Sequence, residues 1–470
     1  MADAATPTAN AGLGNAGFGN AIDNVDDAVE RIGLGRFQWR LLGVNGLVWA
    51  GDAMEVIGIG FILPSVIATF GVSGAQVGLV GSLFFAGMFV GAWGFGALAD
   101  RVGRRTVFLV TIALNAVFAL LSAVAPSFGL LLVFRFINGL AVGGTLPVDY
   151  AIMAEYLPKR ERGRFLVYLE SFWALGTVAI ALVAWAIVPQ LPETGWRWIL
   201  AINALPGLLG FWVRLSVPES PRYLLLKGDA AGAKRVLERV AEVNGVTLTL
   251  GTLTPPPPAP RRNTTAALFQ GSLLSRTLPL LVIWLGLSFG YYGVFTWLRP
   301  IFVGQGVAVL GTYWFLIVLA LAQLPGYALA AYLLERIGRR PTLALFIFTS
   351  AAASMVFAVS STPAVVIGAS LLLSFSLLGA WGALYATTPE VYPTAVRATG
   401  MGVMGAAARA GGIVAAQLGG TLLTLSFPLA LGVYALSLGV AGVAALLLRG
   451  DLRGRALSDQ VTDAAQGTDA

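Results

Sequence analysis

Asp100-Arg101-Val102-Gly103-Arg104-Arg105 and Glu335-Arg336-Ile337-Gly338-Arg339-Arg340 are one motif written twice, 235 residues apart. The same offset carries Glu155 onto Glu390, Pro158 onto Pro393 and Arg162 onto Arg397. Two separate loops sharing one offset make the chain a pair of equivalent units. Around these loops run apolar stretches of the ~20 residues that a helix needs to cross a ~30 Å hydrocarbon core. They fall at about 41–70, 75–99, 106–125, 127–153, 163–189 and 197–217, then at about 277–303, 309–334, 341–360, 363–387, 399–424 and 428–448. Two six-span halves around a midplane site are a transporter architecture. The expected fold is an all-α membrane protein, twelve transmembrane helices in two pseudo-symmetric six-helix bundles.

Composition agrees. Of 470 residues, 57% are hydrophobic and 11% charged, against about 25% charged in soluble chains. The net charge of +7 does not mark a nucleic-acid partner, because the basic residues sit in short clusters between apolar runs. Arg101, Arg104 and Arg105 follow span 2, Lys159, Arg160, Arg162 and Arg164 follow span 4, Arg336, Arg339 and Arg340 follow span 8, and Arg449, Arg453 and Arg455 follow span 12. The alternate loops at 71–75, 125–127, 360–363 and 426–428 carry no charge. The positive-inside rule then places both termini in the cytoplasm and the chain in the inner membrane. The expected organisation is a tail at 1–40 with a short amphipathic helix near Asp26–Ile32, a bundle at 41–217, a linker at 218–276, a bundle at 277–448 and a tail at 449–470. The linker reads as a polar helix from Asp229 to Val243 followed by the stiff run Pro255-Pro256-Pro257-Pro258, a spacer between the halves. Cysteine and histidine are absent, which excludes disulfides, thiolate or imidazole metal sites and Ser-His-Asp chemistry. No Walker-type motif is present, so ATP is not the driving force. No enzyme activity, cofactor or metal is expected.

Gly51-Asp52-Ala53-Met54-Glu55 places two acids three residues apart inside span 1, on one helix face. An acid at mid-bilayer costs roughly 2.5–3.5 kcal/mol on insertion scales, so the pair needs a partner, a wet cavity or a task. Asp52 lies opposite Leu287 in the repeat, Arg135 opposite Ser370, and Arg409 opposite Ala174. Intramembrane charges are therefore half-specific, as suits chemistry, while the loop charges are shared, as suits a common scaffold. Asp52 and Glu55 lie roughly 16–21 Å into span 1, and Arg135 about 12 Å into span 4 from its other end. These depths allow an ion pair between the two helices. Arg135, Gly139 and Gly143 also form a small-residue stripe on which helices approach closely.

The motifs resemble a known family. Gly96 to Arg105 is similar to the loop 2–3 signature of the major facilitator superfamily. Pro218-Glu219-Ser220-Pro221-Arg222-Tyr223-Leu224 and Pro389-Glu390-Val391-Tyr392-Pro393-Thr394 with Arg397 resemble the sugar-porter-type motifs after spans 6 and 10. Span 1 with Gly60 and Pro64, Leu169-Glu170-Ser171-Phe172-Trp173, and Tyr291-Tyr292-Gly293-Val294-Phe295-Thr296-Trp297-Leu298 resemble bacterial niacin and aromatic-acid transporters and their synaptic-vesicle transporter-like relatives. Sugar:proton symporters of this superfamily carry a coupling acid and an arginine on the same two helices, which the resemblance places on Asp52 and Arg135.

The resulting expectation is a monomeric, proton-coupled importer of a small organic anion, such as a nicotinate-like or benzoate-like aromatic carboxylate. A carboxylate's proton affinity rises on burial and falls beside a guanidinium. Alternating access that moves the acid relative to Arg135 would then load and release a proton; a fixed structural ion pair is the other reading. Asp52 is read as the coupling acid, Glu55 as the auxiliary carboxylate and Glu170 as a third candidate. Arg409, about 15 Å into span 11, would clamp a substrate carboxylate, or instead pair with Glu170 or backbone carbonyls. Trp173, Tyr291, Tyr292, Phe295, Trp381 and Tyr385 would stack a flat ring, with Trp297 a belt residue. Asp100, Arg104, Arg105, Glu155, Arg162, Glu219, Arg222, Glu335, Arg339, Arg340, Glu390 and Arg397 would form cytoplasmic gate latches. A sugar symporter, an organic-cation exporter and a transport-inactive receptor or scaffold are the rival readings.

Overall fold

The computed structural model describes residues 22–214, 217–254, 264–304, 313–392 and 394–448. Both tails beyond these limits, Pro255–Pro258, Pro393, and the side chains of Asp100, Arg101, Lys159, Arg160, Arg162, Arg164 and Arg397 lie outside the described set. The chain opens with α1 (Val25–Ile32) and then the first bundle: α2 (Arg36–Phe70), α3 (Gly74–Val102), α4 (Arg104–Ala123), α5 (Phe128–Glu155), α6 (Lys159–Ile187) and α7 (Gly195–Arg214). Three short helices follow, α8 (Pro221–Leu226), α9 (Ala230–Asn244) and α10 (Thr264–Leu268). The second bundle holds α11 (Gly271–Gly304), α12 (Tyr313–Leu321), α13 (Gln323–Arg336), α14 (Arg339–Val359), α15 (Pro363–Val391), α16 (Thr394–Leu425) and α17 (Phe427–Leu447). Among the described residues, eleven spans are long and apolar enough to cross a membrane, with α12 and α13 together making one. The 20-residue α7 packs with α2 and α4 and completes the first bundle.

Local chemistry sets the helix ends. Gln76 N donates to Ser73 Oγ at 3.2 Å while Ser73 N donates to Gln76 Oε1 at 2.9 Å, a capping box at the start of α3. The glycines of the repeated motif join α3 to α4 and α13 to α14 with φ of 106° at Gly103 and 90° at Gly338, a backbone region open to glycine. Outward-facing side chains are large and apolar: Trp93 is 80% exposed and Leu436 68%, a surface suited to lipid and hazardous in water.

The expected eighth span is two helices. Pro325 has no N–H and crowds the carbonyl four residues back, at Leu321, and α12 ends there. The first bundle is closed by a seam between α3 and α5. A Cβ on Gly139 would land on the Phe84 carbonyl oxygen, one on Gly143 on that of Met88, and one on Gly91 on that of Leu140. The two backbones thus touch through the stripe that Arg135, Gly139 and Gly143 define.

Arg104 pairs with Glu155, and 235 residues on Arg339 pairs with Glu390 through Nε–Oε2 at 2.8 Å and Nη2–Oε1 at 2.9 Å. The repeat therefore holds in three dimensions as one ion-pair staple per half. We call the face bearing these staples the basic face, and the opposite one the far face. On the far face the halves are in contact: Gln417 Nε2 donates to Ala75 O at 3.2 Å, Ser82 Oγ to Ile413 O at 3.2 Å, and a Cβ on Gly60 would sit 2.7 Å from the carbonyl oxygens of Phe295 and Thr296. Trp297 is buried there, donating to Ala416 O at 3.3 Å, so it is a packing residue and not a belt residue.

The linker does more than separate the halves. Asn244, at the end of α9, donates to Gln38 Oε1 at 2.8 Å and accepts from Phe37 N at 3.0 Å, and Arg222 pairs with Asp26. Ile22 and Leu250 form a parallel bridge, with Ile22 N on Thr249 O at 3.2 Å and Gly251 N on Ile22 O at 3.1 Å. Tail and linker are thereby bound together on the first bundle.

The seam makes a prediction. Gly139→Val forces α3 and α5 apart at a cost of about 1–3 kcal/mol, so thermal unfolding of the purified protein in detergent should fall by several degrees. Gly94→Ala, where nothing lies within 4 Å of the new Cβ, should leave it in place.

Candidate functional site

The seam brings Arg135 against α2. Its Nη1 donates to Glu55 Oε2 at 2.6 Å and to Asn138 Oδ1 at 2.8 Å, and its Nη2 to the Glu55 carbonyl oxygen at 3.3 Å. Asn138 Nδ2 donates onward to Asn115 Oδ1 at 2.6 Å, and the guanidinium lies 4.3 Å from the Phe84 ring centroid. Glu55 and Arg135 are fully buried. The pairing expected between Asp52 and Arg135 is made by Glu55. Glu55 is one methylene longer and sits one helical turn nearer the far face, which matches it to Arg135.

Asp52 is thereby left for other work. Thr145 Oγ1 donates to Asp52 Oδ2 at 2.8 Å, and Asp52 Oδ1 has no hydrogen-bond partner. Asp52 fronts a cavity of about 340 Å³, measured out to its mouth, walled by Trp49, Met88, Val142, Trp173, Tyr292, Trp381, Tyr385, Ala408 and Arg409. Both halves contribute walls: Asp52 comes from α2 and Arg409 from α16. Arg409 Nη1 donates to its own helix at Gly405 O, 3.0 Å away, and its Nε has no partner. Among the described residues no carboxylate comes within ion-pair distance of it, so Glu170 is not its partner. The indole N–H groups of Trp49 and Trp381 are also buried without acceptors. The walls thus hold an arginine N–H, two indole N–H groups and one carboxylate oxygen that no described residue satisfies, an unusual concentration for buried polar atoms.

Of the six expected aromatic residues, Trp173, Tyr292, Trp381 and Tyr385 line this cavity. Tyr291 stands behind the wall, accepting from Trp173 Nε1 at 2.8 Å. Phe295 lies one turn further toward the far face and lines a separate apolar cavity with Ile57, Phe61, Thr177, Leu316 and Ala320. Glu170 is buried off the cavity wall and accepts from Tyr150 Oη. Tyr150 in turn stacks on Tyr385, centroids 6.1 Å apart and planes 15° from parallel. That stack joins α5 to α15 on the basic-face side of Asp52, by about 7.5 Å along α5 from Thr145.

Trp49, Thr145 and Tyr150 escaped the sequence reading, although signals for two of them were present. Trp49 precedes Asp52 by three residues and shares its face. Arg135, Asn138, Val142, Thr145 and Asp149 recur at spacings of three and four along α5, a polar stripe aimed at α2. At the basic face, Glu219 accepts from Arg105 N at 3.1 Å while Arg105 Nε donates to Val217 O at 3.0 Å. Arg222 binds Asp26, and Glu335 and Arg340 are exposed. The described pairs of the expected gate set, Arg104–Glu155 and Arg339–Glu390, each lie within one half.

Truncating one member of a buried pair costs about 3–5 kcal/mol. Arg135→Leu should therefore sharply lower folded yield and melting temperature in detergent, whereas Asp52→Asn, outside that pair, should melt near wild type.

The model of the family described as "Sugar (and other) transporter" matches residues 43–447. The chain is 39% identical over 388 residues to the niacin transporter NiaP of Acinetobacter baylyi, covering 82% of this chain and 88% of that one. It is 35% identical to a putative niacin/nicotinamide transporter NiaP of Bacillus subtilis, covering 88% and 96%, and 32% identical to the synaptic vesicle 2-related protein of Xenopus laevis, covering 94% and 84%. The fold matches the xylose transporter XylE of E. coli in a partially occluded inward open conformation, with a TM-score of 0.73 at 17% identity over 90% of this chain and all of that one. An all-helical chain of two bundles that share cavity walls, matched along most of its length, is a multi-pass transporter of small molecules and no enzyme: it belongs to the sugar (and other) transporter family of the major facilitator superfamily.

Proposed function

We propose that this protein is a proton-coupled symporter that imports a small aromatic carboxylate of the nicotinate type. The observation that carries the reading is Arg409, a buried guanidinium on an aromatic cavity wall that forms no ion pair among the described residues and keeps an unpartnered Nε, with Asp52 on the same wall but not bonded to it. A buried guanidinium N–H without an acceptor is costly, and a substrate carboxylate supplies that acceptor through a charge-assisted hydrogen bond, most readily once Asp52 is protonated. The indole N–H groups of Trp49 and Trp381 add donors suited to the same oxygens or to a ring nitrogen, and the flanking rings suit a flat substrate. The names of two bacterial relatives point to the same chemical class. A sugar fits these walls less well, since they hold no Asn or Gln side chain to answer a ring of hydroxyls.

Proton coupling falls to Asp52. Glu55 is committed to Arg135, whereas Asp52 has an oxygen free at the cavity and can exchange a proton without dismantling the helix packing. The arginine clusters favour a cytoplasmic basic face, and with two bacterial transporters among the relatives this supports a protein of the cytoplasmic membrane with both termini inside. The Arg104–Glu155 and Arg339–Glu390 staples keep each half rigid as they rock about the cavity, and the monomer contains the whole site. The far-face contacts between the halves and the Tyr150–Tyr385 stack on the basic-face side support reading the site as closed between two gates that open in turn.

Two outcomes test this. In proteoliposomes Asp52→Asn should abolish accumulation driven by a proton gradient yet keep counterflow exchange of nicotinate; accumulation at wild-type level would remove Asp52 from the coupling step. Arg409→Ala should weaken nicotinate binding by on the order of 100-fold and nicotinamide binding only slightly, as read by isothermal titration. Equal losses for both ligands would make Arg409 a structural residue.

A further inference from the structure

Thr145 holds one hydroxyl proton between two acceptors. Its Oγ1 lies 2.8 Å from Asp52 Oδ2 and 2.7 Å from the carbonyl oxygen of Val142, one turn back on α5. A hydroxyl has a single O–H to donate, so both contacts cannot be donated together. An ionised Asp52 only accepts; the Thr145 O–H then points to the carboxylate and gives up Val142. With a proton on Oδ2, Asp52 becomes the donor to Oγ1, and the hydroxyl turns to the Val142 carbonyl.

We propose that Thr145 is a positioning residue for the proton step, its hydroxyl rotating with the protonation state of Asp52 and passing that state to the α5 backbone. No bond of threonine breaks: the proton arrives at Asp52 from solvent and leaves to solvent, and Thr145 only reorients. The place suits the task. Val142 is itself a cavity wall, next to Gly143, whose backbone touches that of Met88 on α3, another wall residue. The charged and titratable groups that face Asp52 are Glu55 on its own helix and, across the cavity, Tyr292 on α11, Tyr385 on α15 and Arg409 on α16. Arg135 and Asp149 lie on the stripe of α5 that carries Thr145 and Glu170 is buried on α6, while α3 presents Met88 and α7 sets Asn203 on Met54 and Pro206 on Gly51. Glu55 and Arg135 hold each other and Glu170 accepts from Tyr150, while Thr145 is bonded to Asp52 directly.

This inference rests on Asp52 being the coupling acid, and the test separates the two. Wild type, Thr145→Val, Thr145→Ser and Asp52→Asn are reconstituted with nicotinate as the probe, and counterflow and gradient-driven uptake are measured across pH. Thr145→Val removes a charge-assisted donor from the ionised carboxylate. It should keep counterflow but move the pH of half-maximal driven uptake upward by about one unit, while Thr145→Ser follows wild type. A Thr145→Val profile that superimposes on wild type, with Asp52→Asn inactive in driven uptake, overturns the role of Thr145 alone. Driven uptake surviving in Asp52→Asn overturns the coupling assignment beneath it. Should Thr145→Val fail to fold, Thr145→Cys, a weak donor, is compared by infrared difference spectroscopy of the protonated carboxyl band on a pH jump. A band unchanged from wild type overturns the proposal, and a shifted band supports it.

Discussion

The buried bond between Arg135 and Glu55 organises the first bundle. A guanidinium shut away from water must find its counter-charge and its remaining acceptors inside the protein. Here one carboxylate, one backbone carbonyl and the Asn138–Asn115 relay supply them. These contacts tie α2, α4 and α5 together at one level, and the glycine seam adds α3 by bringing the Phe84 ring under the guanidinium. Because the arginine is spent on Glu55, the second acid of the pair is released from structural duty. Asp52, the proposed coupling acid, keeps an unbonded oxygen at the cavity because its neighbour three residues away takes the arginine.

That division also explains why two acids occur where one would bond. Close contacts along α2 hold its rotation, among them Gly176 against the Ala50 carbonyl oxygen, Gly46 against the Phe172 ring and Gly51 on Pro206, where an added Cβ would sit 2.7 Å from the proline Cβ. In this rotation Glu55 meets α5 near Arg135, while Asp52, one turn toward the basic face, meets Thr145 and the cavity. Tyr150 extends the arrangement by one further turn along α5, bonding Glu170 and stacking on Tyr385 of the other half. A single face of α5 therefore carries the ion pair, the hydroxyl beside Asp52 and the closure on the basic side.

Much of this was legible in the residue string, for physical reasons. The offset of 235 between repeated motifs identifies two equivalent bundles, and its arginines and glutamates reappear as equivalent ion pairs. Insertion cost singles out Asp52, Glu55, Arg135 and Arg409, since no apolar helix carries such groups without use. What stayed hidden was the choice between acids spaced at i and i+3. Both share a face, and which one reaches Arg135 depends on a helix rotation set by close contacts with helices far away in the sequence. Phe295 illustrates the same limit: it shares a face with Tyr291, yet one turn of rise carries it into a different cavity. Tail and linker pairing was hidden too, because the bonds of Ile22 to Thr249 and Gly251 are made by backbone and leave no mark in side-chain pattern.

The placement of opposite charges on opposite halves bears on coupling. Asp52 belongs to the first bundle and Arg409 to the second; both front one cavity, yet they make no ion pair. If Asp52 carries the proton and Arg409 the substrate carboxylate, the empty cavity holds one negative and one positive wall group and is neutral. The fully loaded cavity is neutral as well, with a protonated acid and a guanidinium facing a bound anion. Loading the proton alone leaves a net positive cavity, and loading the anion alone a net negative one. An uncompensated charge in a low-dielectric interior costs several kcal/mol, so both half-loaded forms resist closure while the empty and full forms close readily. Symport then needs no direct contact between proton and substrate: each cancels the charge whose partner wall group the other has neutralised, and the two bundles can come together only over a cavity whose charges sum to zero.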